Sequence, residues 1–139
     1  MLIEVNNKTK NKVNTPLIKK VIKNFFKGYH LQNKEISLAI VTGQTIKKLN
    51  QKYLGLNQIT DVLTFAGEEQ FLGEIILNFA QIKRQAKEFG NNPPRELLFV
   101  LVHGLLHLIG YDDKTKAGRK RMNKLTEDFL EKLKPPLPR

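Results

Sequence analysis

Apolar and polar positions change period several times along the chain, and each change marks an element. Leu2 to Val5 alternates apolar with polar side chains and reads as a strand, and Asn6 to Asn14 is a polar connection. From Thr15-Pro16 the period lengthens, with Leu17, Ile18, Val21, Ile22, Phe25 and Phe26 recurring at helical intervals as far as Gly28. Threonine can cap that helix, and proline's fixed φ suits its first turn. Ile36 to Val41 is a strand by its branched apolar residues, and Thr42-Gly43 leads into a helix through Ile46, Leu49 and Tyr53. Two short strands follow, Val62 to Phe65 and Leu72 to Leu77. The stretch Ala66-Gly67-Glu68-Glu69-Gln70 between them suits a tight, hairpin-like connection. Phe79 to Phe89 is a further helix, and Gly90 to Pro94 breaks the chain after it. Leu97 to Tyr111 is so nearly all apolar that it predicts a buried helix. Ala117 to Leu133 is amphipathic through Met122, Leu125, Phe129 and Leu133, whereas Pro135-Pro136-Leu137-Pro138-Arg139 cannot be helical and is expected to fray.

Four strands and five helices in 139 residues predict an α/β (α+β) fold, one domain over residues 1–134 with the proline-rich tail appended. There is no repeat, no glycine-rich phosphate loop and no internal linker. Met1 to Thr9 lacks the basic start and apolar run of a signal peptide, and the run from Leu97 falls short of the ~20 residues of a membrane span. The absence of cysteine excludes disulfides and thiolate zinc sites. A formal charge of +11 and a pI near 9.9 favour polyanionic partners such as RNA, DNA or an anionic surface. A solvated lysine-rich surface is the plainer account of the same charge. It is also the commoner account of Lys47, Lys48 and Lys52 on the second helix. Lys83, Arg84 and Lys87 give the third helix a basic edge, and Arg119-Lys120-Arg121 in the last helix is the best candidate for a phosphate-binding patch.

The chemistry is concentrated in Val102-His103-Gly104-Leu105-Leu106-His107-Leu108-Ile109-Gly110-Tyr111-Asp112-Asp113. Histidines four apart on a helix share a face, so both imidazoles can reach one metal ion. Gly110 can take the left-handed conformation that ends a helix, turning Asp112 or Asp113 toward that ion as a third ligand. A buried helix can carry one histidine bonded to a carbonyl, but two on one face with two carboxylates behind them are costly to bury unpaired. Zinc-dependent peptidases with similar spacing need a glutamate after the first histidine, and here that position is Gly104. Glu96, seven residues before His103, is either a partner of the site or a first-turn acid that favours the helix dipole. His30 reads as a surface or capping residue.

Three segments in order, Thr60-Asp61-Val62-Leu63-Thr64-Phe65, Leu72-Gly73-Glu74-Ile75 and His103 to Asp112, resemble the YbeY family of bacterial endoribonucleases, also called rRNA maturation factors. With the element order, the resemblance spans nearly the whole chain. It implies a small mixed four-stranded sheet packed with about five helices, and one zinc ion at the end of the buried helix, at the base of a basic cleft. It also implies cleavage of single-stranded RNA in 16S rRNA 3′-end maturation and ribosome quality control. RNA, the ribosomal small subunit and a bacterial cytoplasmic location come with it, and no membrane.

The chain departs from the family's pattern twice. The family's third ligand is a histidine directly after Tyr-Asp, whereas this chain has Asp113, giving the ligand set His103, His107 and Asp113. Zinc accepts two histidines and a carboxylate, although the added charge lowers Lewis acidity and opens the site to harder divalent ions. Leu54 stands where the family usually carries an arginine beside the cleft, and such a donor can be worth ~3 kcal/mol of transition-state stabilisation. Arg84, Arg119, Lys120 and Arg121 are the cations expected to meet RNA. The competing expectation is an RNA- or ribosome-binding assembly factor whose metal is structural.

Overall fold

The computed structural model describes residues 2–133, so the proline-rich tail lies outside the described residues. The elements run β1 (Ile3–Asn7), α1 (Thr15–Gly28), β2 (Glu35–Val41), α2 (Gly43–Leu54), β3 (Val62–Ala66), β4 (Phe71–Asn78), α3 (Phe79–Phe89), α4 (Pro93–Leu108) and α5 (Lys116–Glu131). The sheet order is β1-β2-β4-β3, with β2 parallel to both β1 and β4, and β3 antiparallel to β4. This is the expected α/β architecture with a mixed four-stranded sheet.

Period-two alternation divides the sheet's residues between two cores. Ile36, Leu38, Ile40, Ile75 and Leu77 join Ile18, Val21, Ile22, Phe25 and Phe26 of α1 and the apolar residues of α4 in the larger core. Ala39, Val41, Leu63 and Ile76, on the alternate positions, pack with Ile46 of α2 in a smaller one. α4 is buried almost throughout, from Leu97 and Leu98 to Leu105 and Leu106, as its composition predicts.

Most helix boundaries follow the sequence pattern, and the exceptions have local causes. α1 is capped by Asn14, whose side chain accepts the Leu17 N–H at 3.0 Å, so Thr15 lies inside the helix. That helix is ended by His30 rather than by its glycine: the exposed His30 holds a left-handed φ of 58°. α4 begins four residues before the expected Leu97, because Asn92 accepts the Arg95 N–H at 2.8 Å and Pro93 and Pro94 sit in the first turn. Proline there interrupts nothing, since the first helical N–H groups have no intrahelical partner. Glu96 is buried in that first turn and accepts from the Asn91 amide at 3.1 Å.

Two glycines set how α4 meets the rest of the fold. Gly73 in β4 has φ +152°, and a Cβ there would collide with the Phe65 carbonyl and lie 2.8 Å from Leu108 Cδ2. Gly104 packs its bare backbone on the sheet, where an added Cβ would meet Thr64 Cγ2 and Ile75 Cδ1 at 3.4 Å each.

Candidate metal centre

His103 and His107 leave α4 one turn apart, and each meets a different neighbour. Around His103 the neighbour is α5, which packs its buried Met122, Thr126 and Leu130 toward the core. The imidazole stacks on Phe99 with ring centroids 4.5 Å apart. Its Nδ1 lies 2.8 Å from Thr126 Oγ1, and its Nε2 lies 2.9 Å from Asn123 Oδ1. Thr126 is fully buried, and its hydroxyl also lies 2.8 Å from the Met122 carbonyl. Burial holds the His103 imidazole below the ordinary histidine range. The Asn123 contact opposes that shift, nearby His107 adds to it, and Asp113 and a backbone hydrogen bond at Phe99 oppose it.

His107 stands at the open end of the helix. The chain ends α4 with Gly110 at φ +108°, and the Tyr111 N–H reaches back to the Leu106 carbonyl at 3.1 Å. The loop that follows brings Asp113 Oδ2 to 3.7 Å from His107 Nε2. Asp112 serves the loop instead, its carboxylate accepting the Lys114 N–H at 3.2 Å. Of the two carboxylates after the glycine, Asp113 is therefore the one that faces a histidine. Arg119 donates to the Asp113 backbone carbonyl at 3.3 Å and so braces the same turn, while Thr115 caps α5 by accepting the Gly118 N–H at 2.9 Å.

The other singled-out residues make contacts of their own. Lys120 and Arg121 are exposed on α5, and the Arg121 guanidinium sits 5.3 Å from the centre of the Tyr111 ring. Arg84 on α3 holds Gln81 Oε1 through two hydrogen bonds, at 2.8 and 3.1 Å. Leu54 ends α2 and is 56% exposed beside Tyr53, whose ring meets Phe65 edge-on at 5.3 Å. Leu49, Tyr53, Phe65 and Glu74 line a cleft of about 290 Å³. Thr60 and Asp61 brace the chain before β3: Asp61 accepts from Gln85 at 3.1 Å, and Asn78 donates to the Thr60 carbonyl at 3.2 Å.

Sequence reading missed Asn123 and Thr126. One signal was available for Thr126, a polar residue on the buried stripe Met122, Thr126, Leu130 at four-residue spacing. Nothing marked Asn123 among the charged residues around it.

A zinc ion fits part of this arrangement as it stands. Two donors each bonded to one ion at about 2.0–2.2 Å lie within roughly 4 Å of one another, a limit that the His107 to Asp113 distance of 3.7 Å meets. Two imidazole nitrogens and a carboxylate are also a zinc donor set. Among the described residues, however, no three His, Asp or Glu side chains converge with ligand spacing, and His103 Nε2 is turned onto Asn123. The donor chemistry fits, while the structure brings only His107 and Asp113 of the three within the span of one ion.

The chain matches the family model described as Endoribonuclease YbeY over residues 3–134. The Endoribonuclease YbeY of Heliobacterium modesticaldum is 40% identical, over 74% of this chain and 72% of the relative. That of Moorella thermoacetica is 42% identical, over 69% of this chain and 70% of the relative. The solution structure of TM1509 from Thermotoga maritima superposes with a TM-score of 0.64 at 27% identity, covering 98% of this chain and 99% of that one. A family model spanning nearly the whole sequence, relatives at about 40% identity and a shared fold together establish that this chain belongs to the Endoribonuclease YbeY family.

Proposed function

We propose that this chain is a metal-dependent endoribonuclease that hydrolyses phosphodiester bonds of single-stranded RNA, serving 16S rRNA 3′-end maturation and ribosome quality control in the bacterial cytoplasm. Family membership supports the reaction class. The observation that carries the site is the approach of Asp113 to His107, on the helix face that also bears His103. His103, His107 and Asp113 would hold one zinc ion, with harder divalent ions as competitors because Asp113 replaces an imidazole. When bound, that ion supplies Lewis-acid stabilisation of charge developing on the phosphate.

The chain's own residues do the rest. Arg119 fixes the Asp113 turn through its carbonyl, while Lys120 and Arg121 present positive charge to the RNA backbone from the same stretch of helix. Such contacts follow phosphates rather than bases, so binding weakens steeply with salt and shows little base preference. Leu54 offers no guanidinium to the developing charge, which leaves a slower enzyme than one with arginine there. Gly104 packs against Thr64 and Ile75, where the Cβ of a peptidase's glutamate base would already be in contact with both.

The test is single-turnover cleavage of an end-labelled, unstructured RNA by the purified protein, after chelation and after zinc is restored. Cleavage that disappears with the metal, returns with zinc and is absent in His107→Ala is the expected result. Equal cleavage by His107→Ala rejects the metal-centred reading.

A second reading has specific support in Leu54 and in the engagement of His103 Nε2 by Asn123. On that reading the chain is an RNA- or ribosome-binding assembly factor with a structural metal. Saturable, salt-dependent RNA binding beside a flat cleavage assay selects it.

A further inference from the structure

α5 holds His103 through two side chains, and for a neutral ring the hydrogen bonds there point to one tautomer. The Thr126 hydroxyl carries a single hydrogen, with two groups in reach: the Met122 carbonyl at 2.8 Å and His103 Nδ1 at 2.8 Å. The carbonyl can only accept. Were the hydrogen aimed at Nδ1, Oγ1 and the Met122 oxygen would face each other lone pair to lone pair at 2.8 Å, around a side chain with no exposed surface. The hydroxyl therefore donates to Met122 and accepts from His103 Nδ1–H. A neutral imidazole has one N–H, so Nε2 is left with a lone pair. The atom 2.9 Å from Nε2 is Asn123 Oδ1, which only accepts, so a neutral ring of this tautomer requires the carboxamide turned by half a turn, an exchange of two atoms of nearly equal size that points its amide N–H at the lone pair.

We infer that Thr126 is a positioning residue for the metal centre: it fixes His103 as the Nδ1–H tautomer with Nε2 free to ligate, and Asn123 is the group an incoming ion displaces. The inference rests on the zinc reading above for its purpose, but the tautomer can be observed without any metal. Bonds made by the second ring nitrogen of a ligating histidine set its tautomer and orientation, and their loss typically costs about 10–100-fold in metal affinity. In this chain the Nδ1 bond goes to a neutral hydroxyl whose own hydrogen is committed to a helix carbonyl.

The experiment has two readouts on the same proteins. The first is the ring-nitrogen NMR signature of His103 in metal-free protein at pH 8, above the ordinary histidine value of about 6.5. The wild type is expected as Nδ1–H, Thr126→Val as a mixture with Nε2–H, and Thr126→Ser as the wild type again. The second is the zinc dissociation constant, measured by competition with a chromogenic chelator. Thr126→Val should weaken it about 10–100-fold, Thr126→Ser should restore it, and Asn123→Ala should leave it unchanged or tighter.

An Nε2–H ring in the wild type overturns the inference, and this readout needs no variant to fold. So does a Thr126→Val protein with unaltered tautomer and affinity, and so does an Asn123→Ala protein that binds zinc more weakly. A wild type that shows the Nδ1–H ring yet takes up no zinc leaves the positioning by Thr126 standing and rejects the zinc reading instead.

Discussion

His103 and His107 share a helix face, yet the fold treats them differently. His103 is clasped, stacked on Phe99 and bonded at both ring nitrogens by α5. His107 has a half-exposed ring facing a loop carboxylate 3.7 Å away. One histidine is therefore set by helix packing, and the other by a loop. The difference shows that spacing in a sequence selects which side chains share a face, whereas the surroundings decide which of them is pre-positioned.

Substitutions between and around the two histidines test that contrast. The largest effect is expected from Gly104→Glu, which would press a carboxylate into the contact with Thr64 and Ile75. It should cost at least about 3 kcal/mol in urea unfolding and give no peptidase activity. Next, His103→Ala in metal-free protein should lose about 2–3 kcal/mol, from its hydrogen bonds and ring stacking, while His107→Ala should change stability by no more than about 0.5 kcal/mol. Equal losses for the two would remove the contrast. Gly110→Ala places a side chain at φ +108° and should cost about 1–2 kcal/mol, with a fall in zinc affinity because the turn carries Asp113. The smallest effects belong to Lys120→Ala and Arg121→Ala, each expected to weaken RNA binding alike across sequences. Each should also lower the slope of log affinity against log salt by about one.

Much of this was legible in the sequence, for identifiable reasons. The apolar stripe of α1, the alternation in β2 and β4 and the unbroken apolar run of α4 are local patterns, and each produced the element it predicted. The break after α3 is real, with Gly90 as its left-handed cap, but it is shorter than the pattern suggests, because Asn92 and two prolines form a helix start as well as they interrupt a chain. Within the site, the spacing of His103 and His107 and the glycine stop were visible. The clasp was not, because Asn123 and Thr126 meet His103 only after α5 folds back on α4, across 20 and 23 residues. The choice between Asp112 and Asp113 is local, a turn in which the Asp112 carboxylate accepts the N–H of Lys114 two residues on, but two adjacent aspartates give the pattern no way to tell which of them makes it.

The most direct test of the central claim, that His103, His107 and Asp113 form one zinc centre, is metal content per chain by elemental mass spectrometry. Wild type, Asp112→Ala and Asp113→Ala are purified without added metal or a histidine tag. About one zinc per chain in the wild type and Asp112→Ala, with little in Asp113→Ala, is the predicted result. A folded wild type without metal, or equal loading of all three proteins, would contradict it.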